Sequence, residues 1–477
     1  GLGKTIEAGL ILTQQLQRQR AQRVLVLVPE TLTHQWLVEM QRRFHLAFSL
    51  LNAARLEDGD PEAEFSENAL VISPMSLFTS DDLLREIVSH LDWDMVVIDE
   101  AHHITGIGEA RTEMGQFVHD LAERSRGLLL LTATPEQAGL RSHFDRLNLI
   151  DPARFSDFEK FEAEHEKFAE WNSLIEALEA GEPVTLPDGI DTTASNESQV
   201  QQMLDRYGTG RVLYRNSRRG VSGFPQRHHH PYALSAPPLY SGNTGLLHPE
   251  VEHSESDWIE GDPRVEWLQA HLTTLRPAKA LVICAHKETA VALEHHLHMK
   301  AGVRCAAFHE DLSLIERDRA AAYFAEETAG AQALICSEIG SEGRNFQFAH
   351  HLICFDLPAH PDLLEQRIGR LDRIGQGTDI HIHVPYLSCT AQEVHYRWLD
   401  EGLNAFNTTC SVGHQLHSEF HEPLQSALTG GGDPEDLLHK TRERRISLLL
   451  ESEAGRDRLL ERNSHDPVAG ANIIAAL

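Results

Sequence analysis

Asp94-Met95-Val96-Val97-Ile98-Asp99-Glu100-Ala101-His102 decides the reading of this chain. The apolar run Met95–Ile98 predicts a buried strand, and it ends in two adjacent acids. Successive side chains on a strand point to opposite faces, and burying a lone carboxylate is costly. The acids are therefore expected at the open end of the strand, where the chain turns into a loop. Open α/β sheets bind ligands at that carboxyl edge. Taken alone, the same residues also fit a surface turn that begins with two solvated acids.

The chain opens with Gly1-Leu2-Gly3-Lys4-Thr5. Gly3-Lys4-Thr5 matches the last three positions of G-x-x-x-x-G-K-[ST], and Ile6–Gln15 can continue as a helix. Glycines let backbone N–H groups converge on phosphate oxygens, and a helix N-terminus favours the same charge. In that reading Lys4 reaches the terminal phosphates and Thr5 ligates Mg²⁺. The plainer reading is a glycine turn capped by threonine. Paired with Asp99-Glu100, the first reading gains, because the two pieces are the two halves of a nucleotide hydrolase. Asp99 would hold Mg²⁺, and Glu100 would orient or deprotonate the attacking water. There is no initiator methionine before Gly1, so a preceding segment carrying the rest of the loop is expected.

Outward from this point, short apolar runs alternate with amphipathic stretches. Val24–Val28, Ala69–Ser73, Met95–Ile98 and Leu128–Leu131 are strand candidates, with helices expected over Thr33–Phe44 and Leu83–Leu91. Such alternation with strands this apolar predicts a parallel sheet covered on both faces. Phe158–Ala180 is acidic and helical in period, and a second helix is expected over Ser198–Tyr207. Arg211, Arg215, Arg218 and Arg219 then make a local basic patch, suited either to phosphate contacts or to a solvated face. Pro225–Gly245 is rich in Pro, His and Gly and reads as a linker. Its triplet His228-His229-His230 gives little reason to expect metal. The α/β pattern returns with Ala280–Cys284, Val303–Phe308, Ala333–Cys336, Leu352–Phe355 and Ile380–Val384. From Glu401 onward the chain is mostly helical.

Among its 477 residues, 41% are hydrophobic and 24% charged, which fits globular domains with real cores. No apolar run approaches the roughly 18 residues of a membrane helix. The six cysteines are widely spaced and mostly sit in apolar runs, as buried free thiols in a reducing compartment do. The formal net charge of −30 counts against tight non-specific DNA binding unless a basic track is segregated from acidic surface.

Two further blocks make a resemblance visible: Leu131-Thr132-Ala133-Thr134-Pro135 and Gln366-Arg367-Ile368-Gly369-Arg370-Leu371-Asp372-Arg373-Ile374-Gly375-Gln376. The ordered set resembles the Swi/Snf-type branch of superfamily 2 helicase-like ATPases. Pro29–Glu39, Ser337–Ala349 and Arg215–Pro225 narrow it to the bacterial RNA polymerase-associated, RapA-type family, over residues 1 to at least 410. The resemblance implies an α/β fold with two RecA-like parallel-sheet domains: a lobe at 1–151, a helical insertion and linker at 152–261, a second lobe at 262–400 and a helical extension at 401–477. It implies an ATP hydrolase that translocates on double-stranded nucleic acid, DNA or RNA, and recycles RNA polymerase core in the bacterial cytoplasm and nucleoid. A docking module without turnover and a strand-separating helicase stay open as alternatives.

The resemblance also assigns residues. ATP and Mg²⁺ are expected on Gly1, Leu2, Gly3, Lys4, Thr5, Asp99, Glu100, Ala101, His102 and Gln366. Arg370 and Arg373, three apart and so on one face of a helix, would neutralise the transferring phosphate. The competing reading pairs Arg367, Arg370 and Arg373 with Glu365 and Asp372 as surface salt bridges. Thr132, Thr134, Gly343, Arg344 and Asn345 are expected to couple the site to nucleic acid. Thr31, His34, Gln35 and Trp36 are candidates to meet a phosphate backbone, while Trp36, among Leu32, Leu37 and Met40 at helical spacing, equally fits the core.

Overall fold

A computed structural model describes residues 4–454, apart from 58, 80, 102–103, 105, 107, 109–110, 133–138, 166, 183, 188–189, 208–211, 215–223, 243, 339–345, 347, 374–375 and 411. Gly1, Leu2, Gly3, His102, Thr134, Gly343, Arg344 and Asn345 therefore lie outside the described residues, as do Arg211, Arg215, Arg218 and Arg219. The chain divides into two compact units near residue 222.

The first unit is built on five parallel strands: β1 (Val24–Val28), β2 (Ser49–Leu50), β3 (Leu70–Pro74), β4 (Met95–Ile98) and β5 (Gly127–Leu130), in the order β2-β3-β1-β4-β5. All side chains of β1 and β4 are buried, which is why these strands read as unbroken apolar runs. One face is covered by a core around Leu25, Phe78, Val96 and Phe117. The other is covered by the helices Lys4–Gln17 and Thr33–Phe44, around Leu12, Trp36 and Val97. These two helices approach so closely that a Cβ on Gly9 would overlap the Phe44 ring. The expected helix at Leu83–Leu91 is present as Asp82–His90, with the Asp81 carboxylate accepting the Leu84 N–H. The periodic stretch expected as one helix is two, Phe158–His165 and Phe168–Glu179. The second packs with Asn196–Tyr207 around Trp171, Ile175 and Met203, a small core away from the sheet.

The second unit holds six parallel strands: β6 (Arg227–Ser235), β7 (Ala280–Cys284), β8 (Cys305–Phe308), β9 (Ala333–Ser337), β10 (His351–Cys354) and β11 (Ile380–Ser388), in the order β6-β11-β10-β7-β9-β8. Cys284, Cys305, Cys336 and Cys354 are buried free thiols on these strands, while Cys389 is exposed. No helix among the described residues is long and apolar enough to cross a membrane.

The linker reading of Pro225–Gly245 is corrected here. Nine of its residues form β6, paired along its whole length with β11. The pairing is made by backbone, so it leaves no apolar signature in R-H-H-H-P-Y-A-L-S. Pro231 is tolerated because β6 is an edge strand. Nor do the three histidines converge. His229 stacks on Phe406 with ring centroids 4.3 Å apart, while His228 and His230 stack on His381, facing the other way.

That second face carries a ladder of imidazoles across β6, β11 and β10. His230 Nε2 lies 3.0 Å from His381 Nδ1, and His351 Nδ1 lies 3.0 Å from His383 Nε2. Tyr232 Oη and His383 Nδ1 are 3.2 Å apart. A neutral ring donates through one nitrogen and accepts through the other; a protonated ring can only donate. Burial, reinforced by the neighbouring histidines, depresses His351 to about 4 and His383 to about 2. Their unfolded values lie near 6.5. The unfolded chain therefore takes up more protons as pH falls below about 6.5, and stability is lost on the acid side. Urea midpoints of the second unit should fall between about pH 7 and about pH 5. The double variant His351→Gln/His383→Gln should show a flatter dependence in the same titration.

Candidate functional site

In the first unit the site lies at the carboxyl edge of β1 and β4. Asp99 N–H donates to Leu27 O at 2.9 Å, which carries the β1–β4 pairing one residue beyond the strand. The Asp99 side chain is thereby turned inward, and the residue is 3% exposed. Its carboxylate is held on both oxygens. Trp36 Nε1–H donates to Oδ2 at 2.9 Å, and Glu100 N–H donates to Oδ1 at 2.8 Å. Lys4 Nζ stands 3.9 Å from Oδ1. Burial pushes the Asp99 carboxyl up, against the opposing pull of Lys4 and of the Trp36 and Glu100 donors.

Glu100 adopts φ +48°, in the left-handed region that non-glycine residues seldom visit. Such a conformation costs on the order of 1 kcal/mol. It breaks the strand alternation and brings the Glu100 carboxylate to Lys4 Nζ, with Oε1 at 2.9 Å. Ala101 N–H then donates to Leu131 O at 2.8 Å, which lays the segment leading to Thr132 alongside the turn. Lys4 and Thr5 open the helix Lys4–Gln17, whose close packing on Thr33–Phe44 fixes where they stand.

Trp36 is the neighbour of Asp99 that sequence reasoning undervalued. It is 1% exposed and packed in the core, yet its single polar atom reaches the Asp99 carboxylate. A buried indole N–H needs an acceptor, and that requirement was the available signal. On the same helix, Gln35 donates to Glu39 at 3.2 Å.

Chemically, the described donors fit a magnesium triphosphate. A cationic amine and a threonine hydroxyl stand at a helix N-terminus, close to a buried carboxylate held by fixed donors and a second carboxylate one residue on. Burial of Asp99 with more carboxylate than cation around it is a setting a divalent ion improves.

Of the other sequence-predicted residues, Gln366, Arg370 and Arg373 belong to the second unit. Gln366 is exposed near the end of the helix Pro361–Ile368. Arg367, 1% exposed, is locked in place. Its Nη1 donates to Asp356 O at 2.6 Å, and its Nε donates to both Glu338 carboxylate oxygens at 2.9 and 3.0 Å. Asp356 in turn accepts the Ala285 N–H at 2.9 Å. One guanidinium thus ties this helix to the ends of β7, β9 and β10.

One expectation is corrected. The helix ends at Ile368, so Arg370 and Arg373 do not share a helical face; they follow in turns, with Arg373 Nε donating to Gly369 O at 3.1 Å. The carboxylates Glu365 and Asp372 bind Arg227 of β6, and Asp372 is buried rather than at the surface. Arg227 Nη2 lies 2.6 Å from Glu365 Oε1, and its Nε donates to Asp372 at 2.7 Å. The Arg227 side chain is 2% exposed.

Comparison with known families agrees with this architecture. The SNF2-related domain matches residues 1–230, the helicase conserved C-terminal domain 263–375, and the RNA polymerase recycling family C-terminal region 379–477. The RNA polymerase-associated protein RapA of Stutzerimonas stutzeri is 46% identical over 510 aligned residues, covering 100% of this chain and 54% of that protein. The chain resembles RapA along its whole length. RapA of Klebsiella pneumoniae is 47% identical, with 98% of this chain and 53% of that protein covered. The chain thus spans about half the length of the RapA relatives it matches. Among solved structures, a Sulfolobus solfataricus SWI2/SNF2 ATPase core in complex with dsDNA aligns at 16% identity with a TM-score of 0.35, covering 89% of this chain and 90% of that chain.

Trp36→Phe keeps the core filled and removes one donor from Asp99. Losing a carboxylate partner of this kind weakens metal binding by about 10- to 100-fold. Electron paramagnetic titration of Mn²⁺ in the presence of ATP should show that loss, with metal-free ATP affinity unchanged.

Proposed function

We propose that this chain is the ATP-hydrolysing core of a translocase on double-stranded nucleic acid, one that remodels or recycles RNA polymerase core. The observation that carries the proposal is the buried Asp99 carboxylate, clamped by Trp36 and the Glu100 N–H, with Lys4 bridging to Glu100 at the start of a helix.

In this reading Lys4 exchanges Glu100 for the terminal phosphate of ATP, and its departure frees the Glu100 carboxylate to orient the attacking water and accept its proton. Asp99 and Thr5 hold Mg²⁺, while Gly1, Leu2, Gly3, Ala101, His102 and Gln366 complete the nucleotide contacts. Bound ATP and Mg²⁺ supply the labile phosphoanhydride and the charge that neutralises its oxygens. Arg370 and Arg373 act as arginine fingers, a role that contributes about 10³- to 10⁵-fold in rate. Arg367 and Arg227 do not touch the nucleotide; they hold the turn on which Arg370 and Arg373 are presented. Thr132, Thr134, Gly343, Arg344 and Asn345 relay the state of the site to the nucleic-acid backbone. The family's association with RNA polymerase supports polymerase core as partner, DNA as the track and the nucleoid as the place of action.

Glu100→Gln retains the shape of the side chain and abolishes its basicity. Nucleic-acid-stimulated ATP turnover should fall by about 10²- to 10⁴-fold, with Mg²⁺-ATP affinity held within a few-fold. Lys4→Ala should lose both affinity and turnover. Normal turnover in Glu100→Gln would remove Glu100 from the chemistry.

A further inference from the structure

The helix that presents Gln366 and Arg367 begins beneath a cluster of imidazoles that the nucleotide reading does not use. His360 precedes the helix and Asp362 lies in its first turn. His414 and His417 come from the helix Gly413–Glu419, some 50 residues later in the chain. Asp362 Oδ2 lies 3.3 Å from His414 Nδ1 and 3.5 Å from His360 Nδ1. Ligand atoms of His360, Asp362 and His414 all fall within 4.8 Å of one another. The His417 ring is 4.4 Å from that of His360, centroid to centroid.

These spacings are informative. A hydrogen bond between nitrogen and oxygen spans about 2.7–3.2 Å, and both contacts to Asp362 are longer. Ligands about 2.0–2.1 Å from a tetrahedral zinc ion stand about 3.3–3.4 Å apart along each edge. The observed 3.3 and 3.5 Å match those edges. Two imidazoles with one carboxylate are a donor set suited to zinc. His360 Nδ1 also accepts the Asp362 N–H at 3.2 Å, the long end of the hydrogen-bond range. All three residues are half-buried or nearer the surface, within reach of an ion from solution.

Two other clusters lack these properties. Beside His248, Glu250 and Asp356 stand the guanidinium groups of Arg264 and Arg367, already bound to the two carboxylates. Beside Glu294 and His298, the Cys305 thiol is pushed up to about 12 by burial and donates to Glu294 O.

We propose that His360, Asp362 and His414 bind a divalent transition metal of zinc-like chemistry, with His417 or water in the fourth position. The ion would staple the C-terminal helices of this unit to the helix that carries Gln366 and Arg367. Hydrolysis of ATP does not enter the test, so its outcome is separate from that of the ATPase reading. The full chain, stripped with a chelator, is titrated with Zn²⁺ against a chromogenic competitor. One equivalent should bind, and Asp362→Asn and His414→Ala should each weaken it by about tenfold or more. Co²⁺ should give the visible absorption of a tetrahedral ion in the parent chain and lose it in both variants. Circular dichroism of each variant confirms that it is folded. Absence of Zn²⁺ binding in the parent chain, or equal affinity and stoichiometry in folded variants, overturns the proposal.

Discussion

Burying the Asp99 carboxylate is the constraint around which the first unit is arranged. The group sits just past the end of an apolar strand, with almost no access to water. It is tolerable there because each oxygen has a fixed donor and an ammonium group stands nearby. Those donors come from distant parts of the chain. Trp36 is brought by the helix after β1, Lys4 by the helix before it, and the Glu100 N–H by a left-handed turn. The same arrangement that makes the carboxylate tolerable also preorganises it. A metal ligand whose orientation is set before the metal arrives needs no reorganisation on binding.

The second unit solves a related problem with guanidinium groups. Arg264, Arg367 and Arg227 are each nearly or fully buried and each paired with two carboxylates. A buried pair adds little net stability, but removing one partner is strongly destabilising, by about 3–5 kcal/mol. Such pairs therefore fix geometry more than they add stability. Arg367 fixes the helix Pro361–Ile368 against three strand ends, and Arg227 fixes the turn that follows it. Arg370 and Arg373 emerge from a segment held on both sides.

Much of this could be read from the residues. β1, β4, β7, β9 and β10 announce themselves because strands buried on both faces are continuous apolar runs. Lys4, Asp99 and Glu100 stand out because phosphate and metal chemistry restricts which residues can serve, and the structure brings the three side chains together. What could not be read has a common cause: it depends on partners far apart in sequence. β6 exists because β11 offers it a backbone edge, and its own histidines and proline say nothing of that. Arg227 reaches Glu365 and Asp372 across more than 130 positions of chain. The 63-residue separation between Trp36 and Asp99 is likewise invisible to any local pattern. The helical face assumed for Arg370 and Arg373 fails for a local reason, since the helix stops at Ile368, with Gly369 next.

The central claim is that Lys4, Asp99 and Glu100 form one nucleotide site whose internal ion pair gives way to substrate. A crystal structure of the chain with Mg²⁺ and a non-hydrolysable ATP analogue tests it most directly. The account predicts Lys4 Nζ on the terminal phosphate and no longer on Glu100, with an Asp99 oxygen in the metal's coordination shell or one water removed from it. Nucleotide bound elsewhere, with the Lys4–Glu100 bridge intact, would contradict it.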